Sequence, residues 1–160
     1  MHAPYVAVIG PGTPSDDRLL EVAREVGRLL ASAGYVVVTG GLGGVMAAAA
    51  SGVASVGGTA VALLPGTDRA DASPGHAVVL PTGLGEMRNA LVVRAVDAVV
   101  AVGGSWGTLS EMALAARTGV PVFAIGSWDL PGPEVVQCAS AVEAVERLAD
   151  TIAREGDDVR

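Results

Sequence analysis

The chain predicts a doubly wound α/β domain, in which a mostly parallel sheet is covered by helices on both faces. Three observations carry this expectation. Short valine-rich runs alternate with helix-length segments along the sequence. The runs are apolar throughout instead of alternating in polarity, which is the pattern of strands buried on both faces. Two of them end in glycine-rich turns that open helices, an arrangement that aims backbone N–H groups at an anion. A length of 160 residues suits one domain with a proper core. That domain is placed at 1–155, with a polar tail over 156–160.

Strands are expected at 5–10, 35–39, 59–64, 77–80, 97–102 and 120–124. The first helix, 15–33, gathers Leu19, Val22, Val26, Leu29 and Leu30 on one face. Ser15 is positioned to cap it, Asp16 and Asp17 suit its first turn, and Gly34 ends it. The helix after residues 40–44 contains no charged side chain. It is therefore either wholly buried in the domain or packed against another subunit. A further helix is expected over 83–97, feeding directly into the fifth strand. Another opens after 103–108, and an amphipathic one over 139–155 presents Val142, Val145, Leu148, Ala149 and Ile152.

Composition excludes several function classes. Hydrophobic residues make up 51% of the chain, and no charge occurs between Arg28 and Asp68. Glycines interrupt that stretch too often for a continuous apolar helix of about 20 residues, so no membrane span is expected. The segment from Met1 to Pro4 lacks the basic-then-apolar pattern of a secretory signal, and a cytoplasmic location is the expectation. The single cysteine, Cys138, has no disulfide partner within the chain, and no His/Cys cluster has metal-ligand spacing, so metal binding is not expected. A net charge of -7 argues against a nucleic-acid surface. All ten basic residues are arginine. Without lysine the chain can form neither a pyridoxal-phosphate Schiff base nor a Walker-type phosphate loop.

The candidate site lies in two turns. Gly40, Gly41, Gly43 and Gly44 lead into Met46 and an alanine run, without the spacing of the standard dinucleotide fingerprint. Gly103, Gly104, Ser105, Trp106, Gly107 and Thr108 lead into a helix carrying Glu111. Between them Arg88 and Asn89, the only asparagine, sit in the 83–97 helix.

An arginine in a helix, then a strand, then a glycine-rich turn with G-T-x-x-E resembles the LOG-type superfamily of Rossmann-like nucleotide-binding proteins. The G-G-x-G-G-V-M segment at 40–46 is similar to that superfamily's other signature, and the matching segments span about 34–121. Arg88-Asn89 and the G-G-x-x-G-T at 103–108 look most like the branch containing molybdenum-cofactor carrier proteins. The cytokinin-activating phosphoribohydrolases look instead like H-E-R-K and P-G-G-x-G-T. This chain keeps their arginine as Arg88 and their glutamate as Glu111. It has Glu86-Met87, Asn89 and Gly103-Gly104-Ser105 where they differ, which tells against cytokinin-nucleotide hydrolysis and leaves other nucleotides open. The superfamily's lysine-decarboxylase label cannot be literal in a chain without lysine.

The resemblance implies a carrier or storage protein for a phosphorylated small ligand, either a nucleotide or a molybdopterin-type cofactor, with no other cofactor required. The alternative is a hydrolase that cleaves a nucleoside 5′-monophosphate into base and ribose 5-phosphate, with Arg88 and Glu111 catalytic. It also implies a homodimer or higher homo-oligomer, which favours a subunit contact for the charge-free helix. Residue by residue, bland readings stand beside these. Thr108 and Glu111 fit a capping box as well as a ligand site. Arg88 is either a solvated helix residue or a bidentate phosphate grip, with Asn89 donating to a ribose or pterin edge. Arg94, on another face, is expected in an ion pair or at the surface. Trp106 is a hydrophobic plug or a stacking surface for a base or pterin. The loop 65–76, with Asp68, Arg69 and Asp71, is a ligand rim or a plain connection, and His76 alone does not identify a general base.

Overall fold

In the computed structural model the described residues are 2–14 and 16–158, with nothing described of the side chains of 157 and 158. The strands are β1 (Tyr5–Ile9), β2 (Val36–Thr39), β3 (Ala60–Leu64), β4 (Val78–Pro81), β5 (Ala98–Val102), β6 (Val122–Ile125) and β7 (Val135–Cys138). They form one sheet in the order β4-β3-β2-β1-β5-β6-β7, parallel at every pairing. The order reverses between β1 and β5, so the loops leaving β1, β2 and β5 converge at the carboxyl ends of the central strands, where such sheets place their ligands.

Five α-helices complete the domain: α1 (Asp17–Ser32), α2 (Val45–Ser55), α3 (Arg88–Arg94), α4 (Trp106–Arg117) and α5 (Ala141–Asp158). Because successive strand residues point to opposite faces, the apolar runs feed two cores. Val6, Val8, Val37, Val100 and Phe123 pack with α1, α2 and α5. Ala7, Ile9, Val38, Val99, Ala101 and Val122 pack with α3 and α4.

Several expectations need correction. The charge-free helix buries most of its length inside the domain, with Ala48, Ala49, Ala50 and Val53 buried and Ala54 and Ser55 exposed at its end. A Cβ on Gly27 of α1 would overlap the Ala49 carbonyl oxygen, and one on Gly52 the Arg24 carbonyl oxygen. Glycines thus let the two helices approach backbone to backbone, and close packing replaces a hydrated face. The helix expected over 83–97 is only seven residues long. Gly83 and Gly85 take φ values of 67° and 58°, outside helical space, and a single 3-10 turn over Gly85–Met87 precedes Arg88. β7 was not foreseen. The expected cap Ser15 lies outside the described residues, while Asp16 caps α1 by accepting from the Arg18 N–H at 2.9 Å. Of the expected tail 156–160, α5 runs on to Asp158, and 159–160 lie outside the described residues. No helix among the described residues is long and apolar enough to cross a membrane.

Candidate functional site

The turn after β2 is fixed by two glycines with positive φ, Gly41 at 79° and Gly44 at 61°. At Gly44 a side chain would also strike the carbonyl oxygen of Pro11 in the loop leaving β1. The Val45 N–H donates to that same oxygen at 3.1 Å, tying the two loops together. The Gly41 N–H donates to Thr39 Oγ1 at 2.9 Å. The amides of Leu42, Gly43 and Gly44 have no hydrogen-bond partner among the described residues.

The turn after β5 behaves similarly. Gly103 is spent on the sheet, donating to Ile125 O at 3.0 Å. Ser105 is the N-cap of α4, its Oγ accepting from the Thr108 N–H at 3.3 Å and lying 3.0 Å from Thr108 Oγ1. The capping box expected at Thr108 and Glu111 is therefore not formed. Thr108 is already the third helical residue, and the cap sits three positions earlier.

That shift frees Glu111. It is 8% exposed, and burial pushes its carboxyl up to about 7, opposed in part by the Arg88 guanidinium. Arg88, 7% exposed, is not solvated as an isolated helical arginine would be. Burial disfavours its charged form and the Glu111 carboxylate favours it. Their attraction is not a closed ion pair. Those among the described residues join Arg18 to Asp16, Arg28 to Glu25 and Arg147 to Glu143. Arg88 Nε is a buried donor without a hydrogen-bond partner, a state that costs free energy unless something accepts from it.

Gly40 explains how the guanidinium fits. A Cβ there would overlap Arg88 Nη1 and stand 2.8 Å from Met46 Sδ. The absence of a side chain lets the arginine lie across the β2 turn. α3 and α4 thus bring Arg88 and Glu111 together beside the 40–44 turn. Asn89 is half-buried next to Arg88, and Arg94 is exposed.

Trp106 is 80% exposed, so it plugs nothing. Its ring centroid lies 5.6 Å from that of Trp128 at an interplanar angle of 31°. Trp128 is anchored by its Nε1–H donating to Ser105 O at 3.0 Å, directly over Gly104. Sequence reasoning passed over Trp128, which lies 22 residues downstream of Trp106 and meets it only through the β6 loop. It also passed over the β1 loop. Pro11, Gly12, Thr13 and Pro14, with Leu19, Gly104 and Ser105, line a cleft of about 440 Å³. The G-P-G at 10–12, at the end of a strand, was the available signal. Among the described residues no cluster of three His, Cys, Asp or Glu could hold a metal. The 3-10 turn Arg69–Asp71 is exposed.

Comparison with known proteins bears directly on this arrangement. A sequence model of the SLOG cluster4 family matches residues 3–155. An uncharacterised protein of Archaeoglobus fulgidus is 40% identical over 130 residues, covering 78% of this chain and 82% of that protein. Among solved structures, the molybdenum cofactor binding protein of Rippkaea orientalis superposes with a TM-score of 0.90 at 32% identity, covering 95% of this chain and 99% of that one. The molybdenum cofactor carrier protein of Chlamydomonas reinhardtii gives 0.87 at 30% identity, with the same coverage. The resemblance to the LOG-type superfamily, on its molybdenum-cofactor carrier side, holds across the domain. The chain belongs to the SLOG cluster4 family.

Proposed function

We propose that the protein binds a phosphorylated small ligand, a nucleotide or a molybdopterin-type cofactor, and carries or stores it. The observation that carries this reading is Arg88, a buried guanidinium with an unpartnered Nε lying against a glycine turn. A phosphate oxygen accepting from Nε would satisfy that donor. The free amides of residues 42–44 would add hydrogen bonds, with those of residues 104–107 at the same end of the sheet. The exposed Trp106 offers its face to the ring of a base or pterin, with Trp128 behind it. Two relatives of similar fold and length are molybdenum cofactor binding and carrier proteins, which supports cargo of this kind here.

A second reading rests on Glu111. A carboxyl titrating at about 7 is poised for proton transfer near neutrality, and as a carboxylate it would stabilise positive charge building on a ribose. That chemistry is cleavage of a nucleoside 5′-monophosphate to base and ribose 5-phosphate. Incubation with a panel of nucleoside monophosphates, read by chromatography beside calorimetric binding of the same panel and of a phosphorylated pterin, decides between the two. A carrier binds without releasing base and keeps its affinity in Glu111→Gln. A hydrolase releases base and loses release in that variant. Absence of both binding and release at low salt would overturn both readings.

Self-assembly belongs to the same proposal, on a different surface from α2. The α3–α4 side of the sheet leaves an apolar hollow of about 420 Å³ lined by Tyr5, Val36, Val61, Val78 and Leu80, with Tyr5, Val78 and Leu80 exposed. A second copy covering that face would make a homodimer or larger homo-oligomer, which we place in the cytoplasm.

A further inference from the structure

His76, which the sequence left without a role, closes a ring of hydrogen bonds around the turn after β2. Its Nδ1 lies 3.0 Å from Ser73 O. A carbonyl only accepts, so Nδ1 carries the proton. In the neutral imidazole Nε2 is then an acceptor, and it lies 2.7 Å from Thr39 Oγ1. The Thr39 hydroxyl donates to Nε2 and accepts from the Gly41 N–H. The ring closes on the other side, where the Ser73 N–H donates to Gly41 O at 2.9 Å and Ser73 Oγ lies 3.4 Å from the same oxygen. Both polar groups of the Gly41 backbone are thus held by the 73–76 loop, directly or through Thr39.

We propose that His76 is a positioning residue for the phosphate-binding turn, holding Gly41 through a Thr39 hydroxyl that is fully satisfied only while the imidazole is neutral, so that protonation loosens the turn and weakens anion binding. The inference rests on the phosphate-binding reading above and extends it to a residue that contacts no ligand. A protonated ring offers Nε2–H where an acceptor stood. The Thr39 hydroxyl must then turn its hydrogen elsewhere, and Thr39 is fully buried. The oxygen can still accept from both Nε2–H and the Gly41 N–H, but its own hydrogen loses the one acceptor it had, and a buried unsatisfied donor beside Gly41 costs free energy.

The surroundings agree. Burial holds the imidazole below its ordinary value, opposed in part by the Ser73 carbonyl. The ring's partners on β2 and in its own loop, Thr39 and Ser73, are uncharged. Of the charged groups on neighbouring elements, Asp68, Arg69 and Asp71 lie upstream in or beside the exposed turn, Arg24 of α1 is bonded to Ser51 of α2 at 3.1 Å, and Arg88 of α3 lies against Gly40 with Glu111 of α4 beyond it. None of them contributes to the shift. Gly75 takes φ at 97°, and a Cβ there would stand 2.9 Å from the Ala50 carbonyl of α2, so the glycine lets the loop run close to that helix just before His76.

The test uses nitrogen–proton spectra of the ligand-free protein across about pH 5 to 8, the range in which histidine titrates. They give the tautomer of His76 and the position of the Gly41 amide. Sulfate, which keeps its charge over that range, is then titrated into wild type and His76→Gln. The expected result is an Nδ1–H tautomer and a Gly41 amide that shifts with the midpoint of His76. Sulfate affinity should fall about three- to tenfold as that imidazole protonates, the worth of about one hydrogen bond. The difference between wild type and His76→Gln cancels the titration of Glu111. An Nε2–H tautomer, a Gly41 amide indifferent to His76, or parallel sulfate profiles would each overturn the proposal, and the wild-type spectra decide it even if His76→Gln fails to fold. Sulfate that binds at no pH would overturn the functional reading and with it the effect on affinity, while the spectra still decide whether His76 holds the turn.

Discussion

Replacing Glu111 with glutamine should flatten the pH dependence of stability in a window set by one carboxyl. The wild-type group rises from an ordinary 4.5 to about 7 on folding because burial penalises its charge. A folded-state value above the unfolded one means that the native state binds the extra proton. The associated stability is fully present below about pH 4.5 and is lost as pH rises through about 7. Over that window the loss amounts to about 3 kcal/mol. Glutamine resembles the protonated acid in shape and charge and does not titrate, so the two proteins should match near pH 4. By about pH 8 the variant should be ahead by nearly the whole 3 kcal/mol, because every other group cancels in the difference. Urea unfolding of both proteins at half-unit steps of pH gives the curve, with constant m-values as the check on two-state behaviour. Parallel curves would refute the reasoning, since Glu111 would then be ionised in the folded protein through a closed pairing with Arg88 or through solvent.

Three other perturbations bear on the same architecture. Gly40→Ala places a Cβ into Arg88 Nη1 and 2.8 Å from Met46 Sδ; it should cost about 1–3 kcal/mol by overpacking and displace the guanidinium, so that calorimetry shows lost phosphate affinity in a protein that still unfolds cooperatively. Trp106→Ala, at an 80% exposed position, should change stability by no more than about 0.5 kcal/mol. Its affinity for a nucleoside monophosphate should fall by about 1–3 kcal/mol, the usual worth of base stacking, with inorganic phosphate binding unchanged; equal losses for both ligands would remove the stacking role. Leu80→Asp puts a charge on the exposed apolar sheet face, and sedimentation should show a shift to monomer; an unaltered assembly would place the subunit contact elsewhere.

Six of the seven strands and the parallel sheet were legible from unbroken apolar runs, five of them in strands buried in the sheet and one in the edge strand β4, whose Val78 and Leu80 are exposed. β7 was not. Val135 and Val136 stand between Pro131-Gly132-Pro133 and Gln137, and an edge strand with one neighbour needs no longer apolar run. The two glycine turns were legible as strand-to-helix turns, but which of their amides remain free was not, because that depends on Thr39 and Ser105 accepting from Gly41 and Thr108. The capping-box spacing from Thr108 to Glu111 is genuine in sequence, yet an equally good cap lies three residues earlier. Ser105 takes the helix end and leaves Glu111 to face Arg88 across the α3–α4 contact. The α2 helix read as sticky on all sides, and only the backbone approach at Gly27 and Gly52 shows that α1 covers it.

Carrying and cleaving differ at this site by the state of one proton. In the carrier reading, a protonated Glu111 adds no charge that would oppose a phosphate on Arg88, and the glycine turns hold the ligand without asking it to change shape. In the hydrolase reading, the same side chain must be ionised when the glycosidic bond lengthens, because only the carboxylate stabilises the developing cation. Its midpoint of about 7 leaves both forms populated near neutrality, so the arriving ligand decides the balance. A phosphate bound to Arg88 brings negative charge toward Glu111 and favours the protonated acid. On the proposed reading, that coupling would make phosphate binding take up a proton near neutral pH, which would favour holding the ligand over cleaving it.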